Sequence, residues 1–231
     1  MLYHRDFDAG VTGKYLLVAN RLRPRSEVLE IGCHTGAFSR YLMAQGHSVV
    51  GLDYDESAVG VARDAGVDAR CLDITEPRAM SALDGRFDAI LLMDVLEHLP
   101  KPEGVLSRIR TLLKPQAQVL ITGPNVAYWR MRLSLLMGRW RYEETGIMDR
   151  THLRFYTAET WAGLVRQAGY EIVDLTPAES MIPLEGRMPR IWFVQRATAY
   201  LRKIATAIFP NAFTIVFLIQ ARPRPNDAAQ S

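Results

Sequence analysis

The sequence predicts an α/β fold, with a doubly wound, mostly parallel sheet of seven strands covered by helices on both faces. Three observations lead there. Short apolar runs alternate with helix-like segments along most of the chain. Residues 28 to 53, VLEIGCHTGAFSRYLMAQGHSVVGLD, form a strand–loop–helix–strand unit with a glycine-punctuated turn. Two connections, Asn125–Tyr156 after the fifth expected strand and Thr176–Ala212 between the last two, are long enough to hold inserts.

The expected strands are Val28–Ile31, Val49–Leu52, Asp68–Cys71, Phe87–Met93, Gln118–Thr122, Tyr170–Leu175 and Phe213–Ala221. The last follows a long connection and is expected to return antiparallel. Helices are expected at Gly13–Arg21, Phe38–Gln45, Ser57–Ala65, Glu103–Leu113 and Ala158–Gln167. Gly46 and Gly66 stop helices where a left-handed residue is useful. Pro115 ends the helix running to Leu113 and Lys114. Thr157, followed by Glu159 and Thr160, supplies a capping oxygen. We expect a single domain over residues 1–222, with an insert at 123–156, an amphipathic helical segment at 186–210 and a flexible tail at 223–231.

The 231 residues are 48% hydrophobic and 23% charged, which is ordinary for a soluble globular chain. Two cysteines, Cys33 and Cys71, have no CxxC partner. A disulfide framework or zinc site is therefore disfavoured, and a reducing compartment fits. The N-terminus lacks secretory character, and no apolar run spans a bilayer. We accordingly expect a cytoplasmic protein.

The net charge is +3, but it is unevenly placed. Arg130, Arg132, Arg139 and Arg141 cluster in one acid-free stretch, and Arg187, Arg190, Arg196, Arg202 and Lys203 in another. The rest of the chain is net negative. An anionic partner near those two segments is implied.

Polar signals stand at the carboxyl ends of strands one to three, where open α/β sheets bind ligands. Glu30, Gly32 and Gly36 form E-x-G-x-x-x-G, Asp53 closes the second strand, and Asp73 follows the third in CLDI. The glycine spacing differs from the dinucleotide turn G-x-G-x-x-G, and Glu30 would repel a pyrophosphate. It would tolerate a cationic ligand. An Asp at a strand end is, taken alone, most often a turn residue or helix cap.

Taken together these motifs resemble the class I S-adenosylmethionine-dependent methyltransferases, which are Rossmann-like. The resemblance covers Tyr3 to Leu175 and the final strand. FDAILLMDVLEHL is similar to the family's fourth-strand motif, and LLKP before QVLITGP to its fifth-strand entry. His34 stands where a middle glycine is usual, and Gln116 and Ala117 replace a double glycine. The resemblance implies S-adenosyl-L-methionine as cofactor and S-adenosyl-L-homocysteine as product. It places the backbone of Gly32, Cys33, His34 and Gly36 under the methionine part, beside Glu30. Asp53, with Tyr54 next to it, would hold the ribose, Asp73 the adenine amino group, and Ile74 the adenine ring. Met93 and nearby residues would line the reactive side, with His98 a helix-start residue beside the cofactor and not a base.

The stretch PNVAYWRMRLSLLMGRWRYEETGIMDRTHLRFYT resembles bacterial methyltransferases related to the ubiquinone-pathway O-methyltransferases. It also resembles the MetW-like methionine-biosynthesis group. The resemblance implies that this segment faces the transferring methyl group. Trp129, Arg130, Arg150 and Tyr156, with Tyr3 from the N-terminus, are then the candidate substrate contacts. His152 is the candidate catalytic base, because imidazole titrates near neutrality. The competing reading is that His152 orders the DRTHLRFYT turn, with Asp149 and Arg150 paired to hold the loop. The sequence shows no metal-ligand spacing.

The leading expectation is methyl transfer, more readily to oxygen than to nitrogen, on a small-molecule, glycan or lipid-like acceptor. A non-catalytic MetW-like partner protein is the alternative. An RNA methyltransferase fits the sequence pI of about 8.9, but the chain reads Gly123-Pro124-Asn125-Val126 where an N-P-P-Y adenine motif would stand. In residues 191–209 Phe193, Ala197, Tyr200 or Leu201, Ile204 and Ile208 recur at helical spacing. Such a face most often packs on the sheet or on a second copy in a homodimer. Peripheral contact with the inner membrane face is the sharper alternative.

Overall fold

The computed structural model describes residues 13–76, 83, 86–185 and 191–225. In chain order the elements are α1 (Gly13–Ala19), β1 (Glu27–Ile31), α2 (Ala37–Ala44), β2 (Ser48–Asp53), α3 (Glu56–Asp64), β3 (Asp68–Cys71) and β4 (Phe87–Met93). There follow α4 (Pro102–Ile109), β5 (Leu113–Pro124), α5 (Trp129–Leu136), α6 (Ala158–Gln167), β6 (Tyr170–Ser180), α7 (Trp192–Ile208), α8 (Pro210–Phe213) and β7 (Thr214–Pro223).

The central strands read as apolar runs because both of their faces are covered. Val28, Leu29, Ile90, Leu91, Leu92, Val119 and Leu120 are all fully buried. The seven strands lie in the order β3-β2-β1-β4-β5-β7-β6. β1 pairs in parallel with β2 and β4, and β7 runs antiparallel to both β5 and β6. The chain moves outward from β1 to β3, then restarts on the other side of β1 with β4. That reversal opens a crevice beyond the carboxyl ends of β1 and β4.

Local chemistry sets several boundaries. Thr157 Oγ1 accepts from the Thr160 amide at 3.3 Å, and Thr160 Oγ1 accepts from the Thr157 amide at 2.8 Å, a reciprocal cap for α6. Asp55 caps α3 by accepting from the amides of Ser57 and Ala58.

The tertiary structure moves several expected boundaries, β5 among them, which runs Leu113–Pro124. The helix expected to reach Leu113 ends at Ile109 and tightens into a 3-10 turn over Arg110–Leu112, because Leu113 already pairs with Phe87 in the sheet. Pro115 therefore lies early in β5 instead of ending a helix. β6 runs past Leu175 to Ser180, since β7 supplies partners up to Thr214. Phe213 belongs to α8, and β7 begins one residue later.

α7 reverses the commoner outcome for an amphipathic helix. Its buried residues are Thr198 and Thr206, whereas Phe193, Tyr200, Leu201 and Ile208 are 57–66% exposed. The apolar face points away from the sheet. Among the described residues no helix is long and apolar enough to cross a membrane.

Candidate active site

The loop after β1 turns because its glycines adopt left-handed conformations. Gly32 has φ 80°, and a Cβ there would lie 2.7 Å from Val95 Cγ2. Gly36 has φ 70° and is pressed against Ala62. His34 shares the conformation at φ 49°, so the replacement of a glycine is accommodated with strain and not by a different turn. The Gly32 and Cys33 amides both donate to the Leu52 carbonyl, at 2.7 and 3.0 Å, which fixes the loop over the end of β2.

Asp53 is held from two sides. Its Oδ2 accepts from the His34 amide at 2.8 Å and its Oδ1 from the Asp55 amide at 3.1 Å. Each oxygen keeps a further lone pair, and the carboxylate is half-buried. A rigid acid with two open acceptor positions beside a side-chain-free loop suits a vicinal diol such as ribose. Asp73 is exposed, with Oδ1 accepting from the Thr75 amide and hydroxyl at 2.8 and 2.7 Å. It is thus a turn former whose second oxygen has no partner among the described residues. Ile74 beside it is buried.

Other expected cofactor residues are placed differently from one another. Glu30 is 4% exposed and accepts from Ser39 Oγ at 2.5 Å. Burial pushes its carboxyl up to about 7, with Ser39 opposing. The Cys33 side chain packs with Val59, Ala62 and Val67, and burial raises its thiol well above the ordinary range, so only its backbone can face a ligand. The Tyr54 ring is 81% exposed. Met93 is half-buried at the end of β4.

Beyond β4 the chain turns at Asp94, a left-handed residue with φ 55°. Asp94 accepts from Thr122 Oγ1 at 2.9 Å and pairs with the buried ammonium of Lys14 from α1. Glu97 is fully buried, and neither carboxylate oxygen has a hydrogen-bond partner among the described residues. Burial and the Asp94 charge hold its carboxyl well above the usual carboxylate range. The Glu97 carbonyl accepts from the amides of Leu153 and Arg154, which docks the loop before α6 onto this turn.

That docking brings His152 to His98, with ring centroids 4.7 Å apart and edge-on. His152 is 8% exposed, and its Nδ1 lies 3.0 Å from the Ile147 carbonyl. A carbonyl only accepts, so Nδ1 carries the proton and Nε2 is left as the lone-pair nitrogen. Burial lowers the His152 pKa, against the opposing effect of that carbonyl. His98 Nδ1 sits 3.0 Å from Thr151 Oγ1. One ligand atom from each of Glu97, His98 and His152 falls within 4.8 Å of the others, a spacing a divalent cation could share. The linear sequence hides this cluster because His152 lies on a different loop, more than fifty residues from the adjacent Glu97 and His98. The D-x-x-E-H spacing of Asp94, Glu97 and His98 was the available signal.

The expected substrate contacts fare unevenly. Tyr156 is buried and stacks on Trp161 at 4.1 Å, with burial pushing its phenol up to about 12. Trp129 Nε1 donates to the Met181 carbonyl at 3.2 Å. Arg130 is exposed on α5. Arg150 is exposed and pairs with Glu144, while Asp149 accepts from the amide and hydroxyl of Thr151. Both residues of the expected Asp149–Arg150 pair thus hold the loop through a near neighbour, Arg150 through Glu144 and Asp149 through Thr151. Tyr15 packs edge-on against Phe38 at 5.0 Å. Tyr3 lies outside the described residues.

A switch-point crevice, a glycine loop and an acid closing β2 have the arrangement of a nucleoside-binding α/β site. The family model described as "Methyltransferase domain" matches residues 3–175. A ubiquinone biosynthesis O-methyltransferase of Aromatoleum aromaticum (strain DSM 19018 / LMG 30748 / EbN1) is 30% identical over 176 residues, covering 74% of this chain and 69% of that one. Another, of Pseudomonas aeruginosa (strain LESB58), is 34% identical over 124 residues, covering 52% of this chain and 48% of that one, so the chain spans about half the length of this relative. A solved SAM dependent methyltransferase from Archaeoglobus fulgidus superposes with a TM-score of 0.61 at 19% identity, over 92% of this chain and 95% of that one. The chain belongs to the class I S-adenosylmethionine-dependent methyltransferases. S-adenosylmethionine is the methyl donor of that family.

Proposed function

We propose that the protein methylates a hydroxyl oxygen of a small-molecule, glycan or lipid-like acceptor, with His152 holding the acceptor's proton. When bound, S-adenosylmethionine supplies an electrophilic methyl group on a sulfonium. Gly32, His34 and Gly36 would carry its methionine part on their backbone, Asp53 its ribose and Asp73 with Ile74 its adenine. Glu30 lies under the same loop and would contribute negative charge beneath the sulfonium and amino group once ionised.

Methyl transfer asks a protein mainly to align the nucleophile and exclude water. A hydroxyl also needs somewhere to leave its proton. The observation that carries the oxygen reading is His152, with Nδ1 committed to Ile147 and Nε2 kept as the accepting nitrogen. Its lowered pKa keeps the ring neutral, and so ready to accept, at neutral pH. Tyr156, Trp129, Arg130 and Arg150 remain the proposed acceptor contacts, Tyr156 being the most buried of them. A single domain over residues 1–222 is proposed to carry all of this.

A second reading is favoured by the Glu97–His98–His152 cluster and the two unpartnered Glu97 oxygens. Here a divalent cation held by those groups would polarise the acceptor hydroxyl, and His152 would act as ligand instead of base.

The test is transfer of labelled methyl from S-adenosylmethionine into an extract of the source cells, partitioned between organic solvent, water and macromolecular precipitate. Label in a small-molecule fraction that disappears with Asp53→Ala supports the proposal. Label confined to precipitated RNA or protein, or cofactor binding without any transfer, overturns it. Stimulation by added divalent metal, abolished by chelator, selects the second reading.

A further inference from the structure

We propose that the outward face of α7 is a docking surface for an anionic phospholipid bilayer. It carries Trp192, Phe193, Tyr200, Leu201, Ile204 and Ile208 on the solvent side, from 39% exposed at Ile204 to 70% at Trp192. The helix is seventeen residues long and buries only Thr198 and Thr206. It is thus turned inside out relative to an ordinary surface helix, with its small polar side chains on the protein and its large apolar ones in water.

Charge decides what should cover it. Residues 191–209 contain Arg196, Arg202 and Lys203 and no acid. Arg202 points back to Glu185, an intramolecular pair that fixes the rotation of the helix. Arg196 and Lys203 are seven residues apart and lie along one edge of the apolar stripe, exposed, with no ion pair among the described residues. Cations bordering an exposed aromatic stripe match an interface where phosphates lie above acyl chains. The surface continues past Ile208 to a cleft of about 250 Å³ bounded by Phe209, Pro210, Asn211 and Arg132 of α5. This adds one more guanidinium beside apolar side chains. A second copy of the chain is a poorer match, because an isologous pairing of α7 would set Arg196 and Lys203 against a helix without an acid.

The test is co-sedimentation of the full chain with vesicles of phosphatidylcholine alone and of phosphatidylcholine mixed with phosphatidylglycerol. The protein should pellet with the mixed vesicles and not with the neutral ones. R196E/K203E and W192S/F193S/I208S should each lower the bound-to-free ratio about tenfold or more. Unchanged S-adenosylhomocysteine affinity in both variants shows that the fold is intact, since none of these residues belongs to the proposed cofactor site. On the unaltered sequence, lipids brominated in their acyl chains should quench tryptophan fluorescence, and Trp192→Phe should remove much of that quenching. Equal pelleting of wild type and variants, or no pelleting and no quenching, overturns the proposal. So does a vesicle-free dimer that the same substitutions dissociate, because a second copy would then be the occupant.

Discussion

His98 and His152 meet edge-on at 4.7 Å, although they come from different loops on either side of the fifth strand. The contact joins the turn beyond β4 to the segment entering α6. With His152 Nδ1 bound to the Ile147 carbonyl, Nε2 is the nitrogen able to take a proton. His152→Ala should lower kcat by about 10²–10⁴-fold, with a much smaller effect on cofactor affinity. The pH profile gives an independent check. A base must be unprotonated, and burial lowers the His152 pKa, so the acid limb of kcat/KM should lie below about 6.5 and vanish in the variant. Retention of that limb would assign it to another group.

The two amide donors on Asp53 fix its carboxylate before any ligand arrives. Asp53→Ala removes two acceptor positions suited to ribose hydroxyls. Hydrogen bonds to a charged group contribute about 1.5–3 kcal/mol each, so affinity for S-adenosylhomocysteine should fall about 10²-fold or more by calorimetry. Asp53→Asn, which keeps one acceptor, should fall in between.

Glu30 makes a testable link between folding and ligand charge. Its folded pKa of about 7 lies above the ordinary 4.5. The unfolded chain therefore releases this proton first, and stability declines as pH rises from about 4.5 to 7, then levels off. Glu30→Gln should remove that slope in denaturant titrations and stabilise the apoprotein at pH 8 by up to about 3 kcal/mol. The same substitution should weaken S-adenosylmethionine more than S-adenosylhomocysteine, because only the former carries the sulfonium charge. Equal losses for the two ligands would remove Glu30 from the sulfonium's surroundings.

Gly123 packs directly against the fully buried Trp161 ring, where a Cβ would fall 2.0 Å from Trp161 Cζ2. Trp161 is also anchored by its Nε1 donating to the Pro124 carbonyl at 3.0 Å. Gly123→Ala must displace either the ring or β5, and should destabilise the protein by about 1–3 kcal/mol in urea unfolding. Because Tyr156 stacks on the same ring, turnover should suffer as well.

Much of this molecule was legible in the linear chain because its cause is local. Apolar runs four to seven residues long, glycines where φ must be positive, and Thr157 before α6 fix strands, turns and caps from within a few residues. The E-x-G-x-x-x-G loop and Asp53 were legible for the same reason, since backbone turn and acid lie in one continuous unit. Glu97 and Lys14 were not, for their meaning comes from burial and from neighbours distant in sequence. Arg150 could be named as a loop residue, but not its partner Glu144, because several acids lie within reach of so long a side chain. Periodicity gave α7 an apolar stripe without saying which way it points. That was decided by packing in the folded chain, which buries Thr198 and Thr206 and leaves the aromatic face outward. Sequence sets which side chains share a face; only packing against the rest of the chain sets which face is covered.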